Sequence, residues 1–177
     1  KTDMSNAKTD ISQLKSDLDT AEADIDDLES LTVYFTRNGT EVYLTGANLH
    51  ILSGSGATAG AVNGVGNLII GYNEKRTGTG ATNTRTGSHM LVVGEKNNFS
   101  SYGVVVLGLG NEASGAYASV TGGRDNLASA KHANVSGGAF NRALQDAASV
   151  CGGMRNTAYS AGSTVSGGYE NKAEGTD

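Results

Sequence analysis

Apolar and small residues recur on a heptad from residue 4 to residue 32: Met4, Ile11, Leu18, Ile25 and Thr32 fall at position a, Ala7, Leu14, Ala21 and Leu28 at d. About four such heptads predict a parallel coiled coil rather than a lone surface helix packed on its own domain. At about 1.5 Å per residue the rod is about 40 Å long. Asp10 can pair with Lys15 between parallel helices, whereas Asp17 with Glu22 and Asp24 with Glu29 repel. So acidic a coil is too weak to hold subunits together unaided.

The period then changes to two. Val33, Phe35, Val42 and Leu44 alternate around Asn38-Gly39, which predicts a β-hairpin over 32–45 with a type I′ turn at Asn-Gly. The next apolar segments form an internal repeat. Val120, Val135, Val150 and Val165 are 15 residues apart, and so are the pairs Gly122-Gly123, Gly137-Gly138, Gly152-Gly153 and Gly167-Gly168. Asn126, Asn141, Asn156 and Asn171 keep that spacing, with Ala128, Ala143, Ala158 and Ala173 two residues further on. The repeat extends backward through Val105, Gly108, Asn111 and Ala113, then through Gly94, Asn97 and Phe99 at a spacing of 14. Ile69, Ile70 and Gly71 form a still earlier coil after a 23-residue step, whose excess is an inserted loop over 72–89.

Such a unit holds two short strands and two turns, one coil of a parallel β-solenoid. Alternation puts Ala118, Val120 and Gly122 on one face and Ser119 and Thr121 on the other. Stacking sets identical residues over one another, so the Asn column becomes a ladder whose amides bond along the stack, with Asn placed at a bend where it tolerates unusual φ or bonds to backbone. The expected organisation is a coiled-coil stalk over 1–31, a hairpin junction over 32–64, and β-roll repeats over 65–177. The fold class is mainly β. In the early coils, Leu68-Ile69-Ile70, Leu91-Val92-Val93 and Val104-Val105-Val106-Leu107 are apolar on both faces. A solenoid buries only one face inside itself, so the other calls for a partner. Three rolls can enclose a central seam, and Ile11, Leu14, Leu18, Ile25, Leu28, Val104 and Val106 are expected at this trimer interface.

Composition supports a thin, repeated cross-section. The 177 residues include 26 Gly and 3 Phe but no Pro or Trp. The formal charge of −5 belongs to the N-terminal segment, where 3 Lys face 9 Asp or Glu; the remainder has 10 basic and 9 acidic residues. No basic stripe suits nucleic acid. A single cysteine, Cys151, excludes an intrachain disulfide framework and stands at a Ser/Thr position of the repeat. No apolar run reaches the length of a membrane span. The chain opens at Lys1 without a signal-peptide pattern, so any anchor or export signal is expected outside it.

The units Ala118-Ser-Val-Thr-Gly-Gly-Arg-Asp-Asn-Leu-Ala128 and Ala133-Asn-Val-Ser-Gly-Gly-Ala-Phe-Asn-Arg-Ala143 resemble the head repeats of trimeric autotransporter adhesins. The likeness covers about residues 65–177. It implies a left-handed parallel β-roll trimer at a bacterial surface, binding host or environmental surfaces. That family's repeat is nearer 14 residues, carries an aliphatic pair where this chain has Gly-Gly, and commonly has its stalk after the head. Phage and injection-system tail fibres also join coiled coils to trimeric β-structure.

Candidate chemistry is sparse. Gly54-Ser-Gly56-Ala-Thr-Ala59 and Gly108-Leu-Gly110-Asn-Glu-Ala113 match the loose GxGxxA pattern, but no helix is predicted after either, and no cofactor is expected. His50, His89 and His132 lack ligand spacing, although a trimer axis could gather three copies of His50 or His89. Asp125, Asp146 and Glu170 form no pair of the kind glycan cleavage needs. The reading is therefore non-enzymatic: an extracellular homotrimeric fibre attaching to cell, matrix or glycan surfaces. A tail-fibre component docked to a larger particle through its coil, or a purely structural filament subunit, are the alternatives. Candidate ligand contacts are Lys75, Arg76, Arg85 and His89 in the insertion, and Arg124, Phe140, Arg155 and Tyr169 after the Gly pairs.

Overall fold

The protein is described here as a computed structural model covering residues 2–175; Lys1 of the expected stalk and residues 176–177 of the expected roll lie outside the described residues. Its contacts divide it into two compact units, one running up to His50 and one beginning at Ile51. Residues 51–64, expected with the hairpin, are grouped with the roll.

In the first unit, helix α1 spans Thr2–Thr32. Its Thr9, Ser12 and Thr20 hydroxyls donate to carbonyls one turn back. Ile11, Leu14, Leu18, Ile25 and Leu28 are each more than half exposed. The hairpin pairs β1 (Phe35–Asn38) with β2 (Glu41–Leu44). Its register runs from Phe35↔Leu44 to Asn38↔Glu41, so the turn is Gly39-Thr40, one residue later than expected. Only Gly39 takes positive φ, at 60°, which is the requirement of a type II′ turn rather than type I′. Both faces of the hairpin are open, with Val42 68 % exposed on one and Tyr43 48 % on the other. Among the described residues of this unit none is buried.

The second unit is a parallel β-solenoid of about 15-residue coils. Its seven-stranded sheet comprises Leu68–Ile70, Leu91–Glu95, Val105–Leu109, Ser119–Val120, Asn134–Val135, Ser149–Val150 and Thr164–Val165. The six-stranded sheet comprises Asn98–Phe99, Glu112–Ala113, Leu127–Ala128, Arg142–Ala143, Thr157–Ala158 and Lys172–Ala173. Between the sheets lie Val92, Val106, Val120, Val135, Val150 and Val165 from one side, and Phe99, Ala113, Ala128, Ala143 and Ala158 from the other, all at most 6 % exposed. Valine suits a strand through its β-branch, and alanine opposite it sets a thin core.

Two expected interface residues belong to this core. Val104 and Val106 are 1 % and 0 % exposed and point into the roll. A uniform 15-residue offset aligns Val105 with Val120, but the strands pair Val106 with Val120, a 14-residue step on this sheet. A slip of one residue exchanges the two faces of a strand. Val105 and Leu107 are therefore the outward residues, in columns with Leu68 and Leu91, and with Ile70 and Val93.

The Asn column is present and, from Asn97 to Asn156, buried, and its amides bond backbone along the stack, one of the two roles expected of Asn at this bend. Each Oδ1 accepts the backbone N–H of the Asn in the next coil, at 2.8–2.9 Å from Asn97 through Asn156. Each Nδ2 from Asn111 to Asn156 donates within its own coil and to the coil after it, as Asn141 does to Gly137 O and Gly153 O, both at 2.9 Å.

The unusual φ sits elsewhere: at the glycine column of Gly94, Gly108, Gly123, Gly138, Gly153 and Gly168, and at two further corners of each coil. Lys96, Gly110, Asp125, Phe140, Arg155 and Glu170 form one left-handed column, and His89, Gly103, Tyr117, His132, Ala147 and Gly162 the other. In this conformation the N–H turns toward the preceding coil: Phe140 donates to Arg124 O and Ala147 to Lys131 O. An L side chain there costs about 1–2 kcal/mol. Ala147, at φ 55° and exposed, has Gly162 as its equivalent one coil later. Ala147→Gly is accordingly expected to raise stability by about 1 kcal/mol, read as a higher midpoint in urea, with Ala148→Gly in the neighbouring core position lowering it.

Candidate functional site

The insertion is shorter than 72–89. Phe99 donates to Thr84 O, and single bridges pair Arg85 with Phe99 and Ser88 with Tyr102, so residues 84–89 already form the second half of the first coil. The extra chain is the stretch between Tyr72 and Asn83. The expected contact residues thereby separate: Lys75 and Arg76 lie in the insertion, Arg85 and His89 in the coil.

Lys75 is exposed, but the two arginines are fastened to the roll. Arg76 donates through Nε to Lys96 O at 2.8 Å and through Nη2 to Gly110 O and Asn111 O at 2.6 and 3.0 Å. Its Nη1 pairs with Glu112 Oε2 at 3.3 Å. Arg85 occupies the column of Phe99 and Ala113 at the open end of the core, and it donates to the carbonyls of Asn97, Asn73 and Glu74. Burial lowers the pKa of Arg85, neighbouring Arg76 adds to the effect, and Glu74 opposes it. Both guanidiniums are thus straps holding the insertion down. Their donors are spent on backbone, because an arginine fork can satisfy several carbonyls that a half-coil leaves open.

His89 is a clasp. Its Nε2 accepts Ser53 N–H at 3.1 Å, and its Nδ1 lies 3.1 Å from Thr58 O, to which it donates. That assigns the neutral Nδ1–H tautomer. The ring closes a cavity of about 360 Å³ lined by residues 52–58, which include all but the last residue of the first GxGxxA stretch. Neither that stretch nor Gly108–Ala113 is followed by a helix, so neither presents the anion-binding terminus the pattern needs. His50 lies in the first unit and is exposed, while His132 stacks on Tyr117 at 5.7 Å.

Past the Gly pairs, the corner carries a ladder of alternating chemistry. Arg124 lies over the Phe140 ring at 5.3 Å and Arg155 over Tyr169 at 6.0 Å. Arg155 also donates to the Tyr169 hydroxyl at 2.9 Å and pairs with Glu170 at 3.3 Å. These partners, Tyr169 foremost, raise the Arg155 pKa. Phe140 and Tyr169 remain 39 % and 55 % exposed. All four expected residues of this edge therefore meet on one ridge.

Sequence reading missed a groove. Between the insertion and the roll, Arg76 stands at the centre of two contiguous hollows of about 440 and 370 Å³ that share Arg76, Gly110 and Asp125. Thr77, Thr79, Lys96 and Leu109 line one, and Glu112, Leu127 and Arg142 the other. The groove opens because Gly110 stands in the corner column between Lys96 and Asp125, where a Cβ would come within 2.7 Å of Asp125 Oδ1. Reading the repeat as columns, rather than as a list of variable positions, would have found it.

The outer face of the seven-stranded sheet changes along the stack. It is aliphatic at Leu68, Ile70, Leu91, Val93, Val105 and Leu107, then carries Ser119, Asn134, Ser149 and Thr164 beside Thr121, Ser136, Cys151 and Ser166. Ser119 donates to Asn134 Oδ1 at 2.8 Å, so this half is hydrogen-bonded across coils.

The sequence matches no protein-family model and no curated protein. Among the described residues no three His, Cys, Asp or Glu gather as metal ligands, and no helix is long and apolar enough to cross a membrane. The geometry offers three surfaces: an aliphatic sheet face, an arginine-aromatic ridge and a polar groove.

Proposed function

We propose that the chain is a segment of a non-enzymatic, homotrimeric extracellular fibre whose role is attachment, of the kind represented by trimeric autotransporter adhesins. The observation that carries this reading is the first unit. Helix α1 keeps a four-heptad apolar seam, yet all of its large a and d residues are solvent-exposed and nothing beneath them is buried. Helices in proteins gain most of their stability from packing an apolar face, so this seam calls for copies of itself.

The second unit makes the same demand independently. Its outward Leu68, Ile70, Leu91, Val93, Val105 and Leu107 form one continuous aliphatic area on a face the roll cannot bury. Three copies can close such faces around a shared seam. Attachment then uses the surfaces left outside, and multivalency multiplies weak contacts.

The test is binding of the recombinant chain to cultured cells and matrix-coated surfaces, beside a variant that charges both seams, Leu18→Asp and Ile25→Asp in the helix with Leu91→Asp and Val105→Asp on the outer sheet face. Loss of subunit association lowers attachment by about 100-fold or more through lost avidity. Attachment by the variant equal to that of the parent chain, or none by the parent across cells, matrix proteins and glycans, overturns the reading.

A further inference from the structure

We propose that the groove beside Arg76 binds an acidic oligosaccharide; this rests on the attachment reading and names the ligand class one surface of the head would take. The groove crosses successive coils. Lys96 lies in the corner just before Asn98, and Arg142 lies three strand steps further along the same sheet, through Glu112 and Leu127. At about 4.8 Å per step the two cations are separated by about 14 Å along the stack.

Neither charge is tightly held. Arg142 makes no ion pair among the described residues, and Lys96 has only a long, half-exposed pair with its chain neighbour Glu95 at 3.8 Å, which is worth little in water. Arg76, by contrast, already has its pair in Glu112. One unpaired and one loosely paired cation at the ends of a trough suit carboxylates spaced along a short chain of sugars. Between them stands Asp125, which likewise forms no ion pair among the described residues. A carboxylate in that place accepts hydrogen bonds from vicinal hydroxyls, and it repels a continuous polyphosphate. Leu109, 37 % exposed, supplies an apolar patch for one face of a sugar ring, and exposed Thr77 and Thr79 supply hydroxyls from the opposite wall. Cations at the ends, an acceptor in the middle and an apolar floor together fit an acidic sugar better than a neutral one.

Calorimetric titration of the intact 177-residue chain tests this with hyaluronan tetrasaccharide and sialyllactose as acidic probes, and chitotetraose and lactose as neutral ones. The two acidic probes separate an internal uronate from a terminal sialate as the source of the charge. At least one acidic probe is expected to bind, weakening as ionic strength rises, with the neutral sugars showing none. Lys96→Gln and Arg142→Gln are each expected to weaken it about tenfold, the worth of one charge-assisted hydrogen bond, and Asp125→Asn to weaken it less. Lys96 and Arg142 lie outside the core, and circular dichroism checks that their variants remain folded. Neutral sugars binding as well as acidic ones, unchanged affinity in both Gln variants, or no acidic probe bound overturns the proposal. In the last case, attachment of the same preparation to cells leaves the fibre reading standing and removes only the groove; acidic-sugar binding without cell attachment does the reverse.

Discussion

Gly138→Ala is expected to disrupt the roll at its middle, while Gly137→Ala, one residue earlier, leaves it close to neutral. Gly138 has φ of 81°, and a Cβ built on it collides with the carbonyl oxygen of Gly153 in the next coil and stands 2.7 Å from Asn141 Nδ2. The first obstacle is backbone, which cannot rotate away, and the left-handed conformation adds about 1–2 kcal/mol of its own. Opening the contact means separating two coils whose other hydrogen bonds depend on that spacing. The combined cost is about 3 kcal/mol or more. Gly137 has no atom within 4 Å of the same probe and no positive φ. Urea unfolding of the two variants checks the contrast. Equal midpoints would show that coils slide past one another more freely than the stacked carbonyls allow.

Asn141→Ala is the second large effect. The side chain is completely buried and serves three backbone groups: the N–H of Asn156 at 2.9 Å, Gly137 O at 2.9 Å and Gly153 O at 2.9 Å. Alanine leaves the Asn156 N–H and Gly137 O without a partner in a site too tight for bulk water, while Gly153 O keeps the Ala139 N–H at 3.0 Å. At about 1–3 kcal/mol for each of the two unsatisfied groups, the loss is about 2–6 kcal/mol. Asn141→Asp keeps the acceptor but faces two carbonyls with a carboxylate, so it is expected to be no better than alanine at neutral pH. The local signature is hydrogen exchange: the Asn156 amide should exchange at least as fast as any in its coil. Unchanged protection there would mean that the ladder is ornament and that the valine column alone holds the stack.

Much of the roll was legible because its repeat is strict where the physics is strict. Val, Gly, Asn and Ala recur where a core filler, a carbonyl contact, a buried bridge and a thin opposite wall are each needed. What stayed hidden depends on one-residue steps. The 14-residue advance from Val106 to Val120 leaves Asn and Ala at 15, so the sequence looks in register while one strand has turned over, and Val104 and Val106 were expected on the wrong side. Of the two roles open to Asn, tolerating positive φ or bonding to backbone, the column uses the second, and positive φ falls on the preceding residue, which includes Phe140 and Arg155. There the hydrogen bond to the previous coil outweighs side-chain preference. Arg76 and Arg85 looked like ligand contacts because loop arginines are commonly free, and only coordinates show their forks spent on carbonyls. The groove needed both corrections, since it joins Lys96, Asp125 and Arg142 across columns.

Association of identical chains is the claim on which the functional account depends. Sedimentation equilibrium of the chain at micromolar concentration tests it without a ligand or a cell. The account predicts a single species of three times the 18.0 kDa chain mass, with α1 helical in the far-ultraviolet spectrum. A monomer at that concentration, still folded, would contradict it, for the heptad seam and the aliphatic sheet face would then be stable in water with nothing covering them.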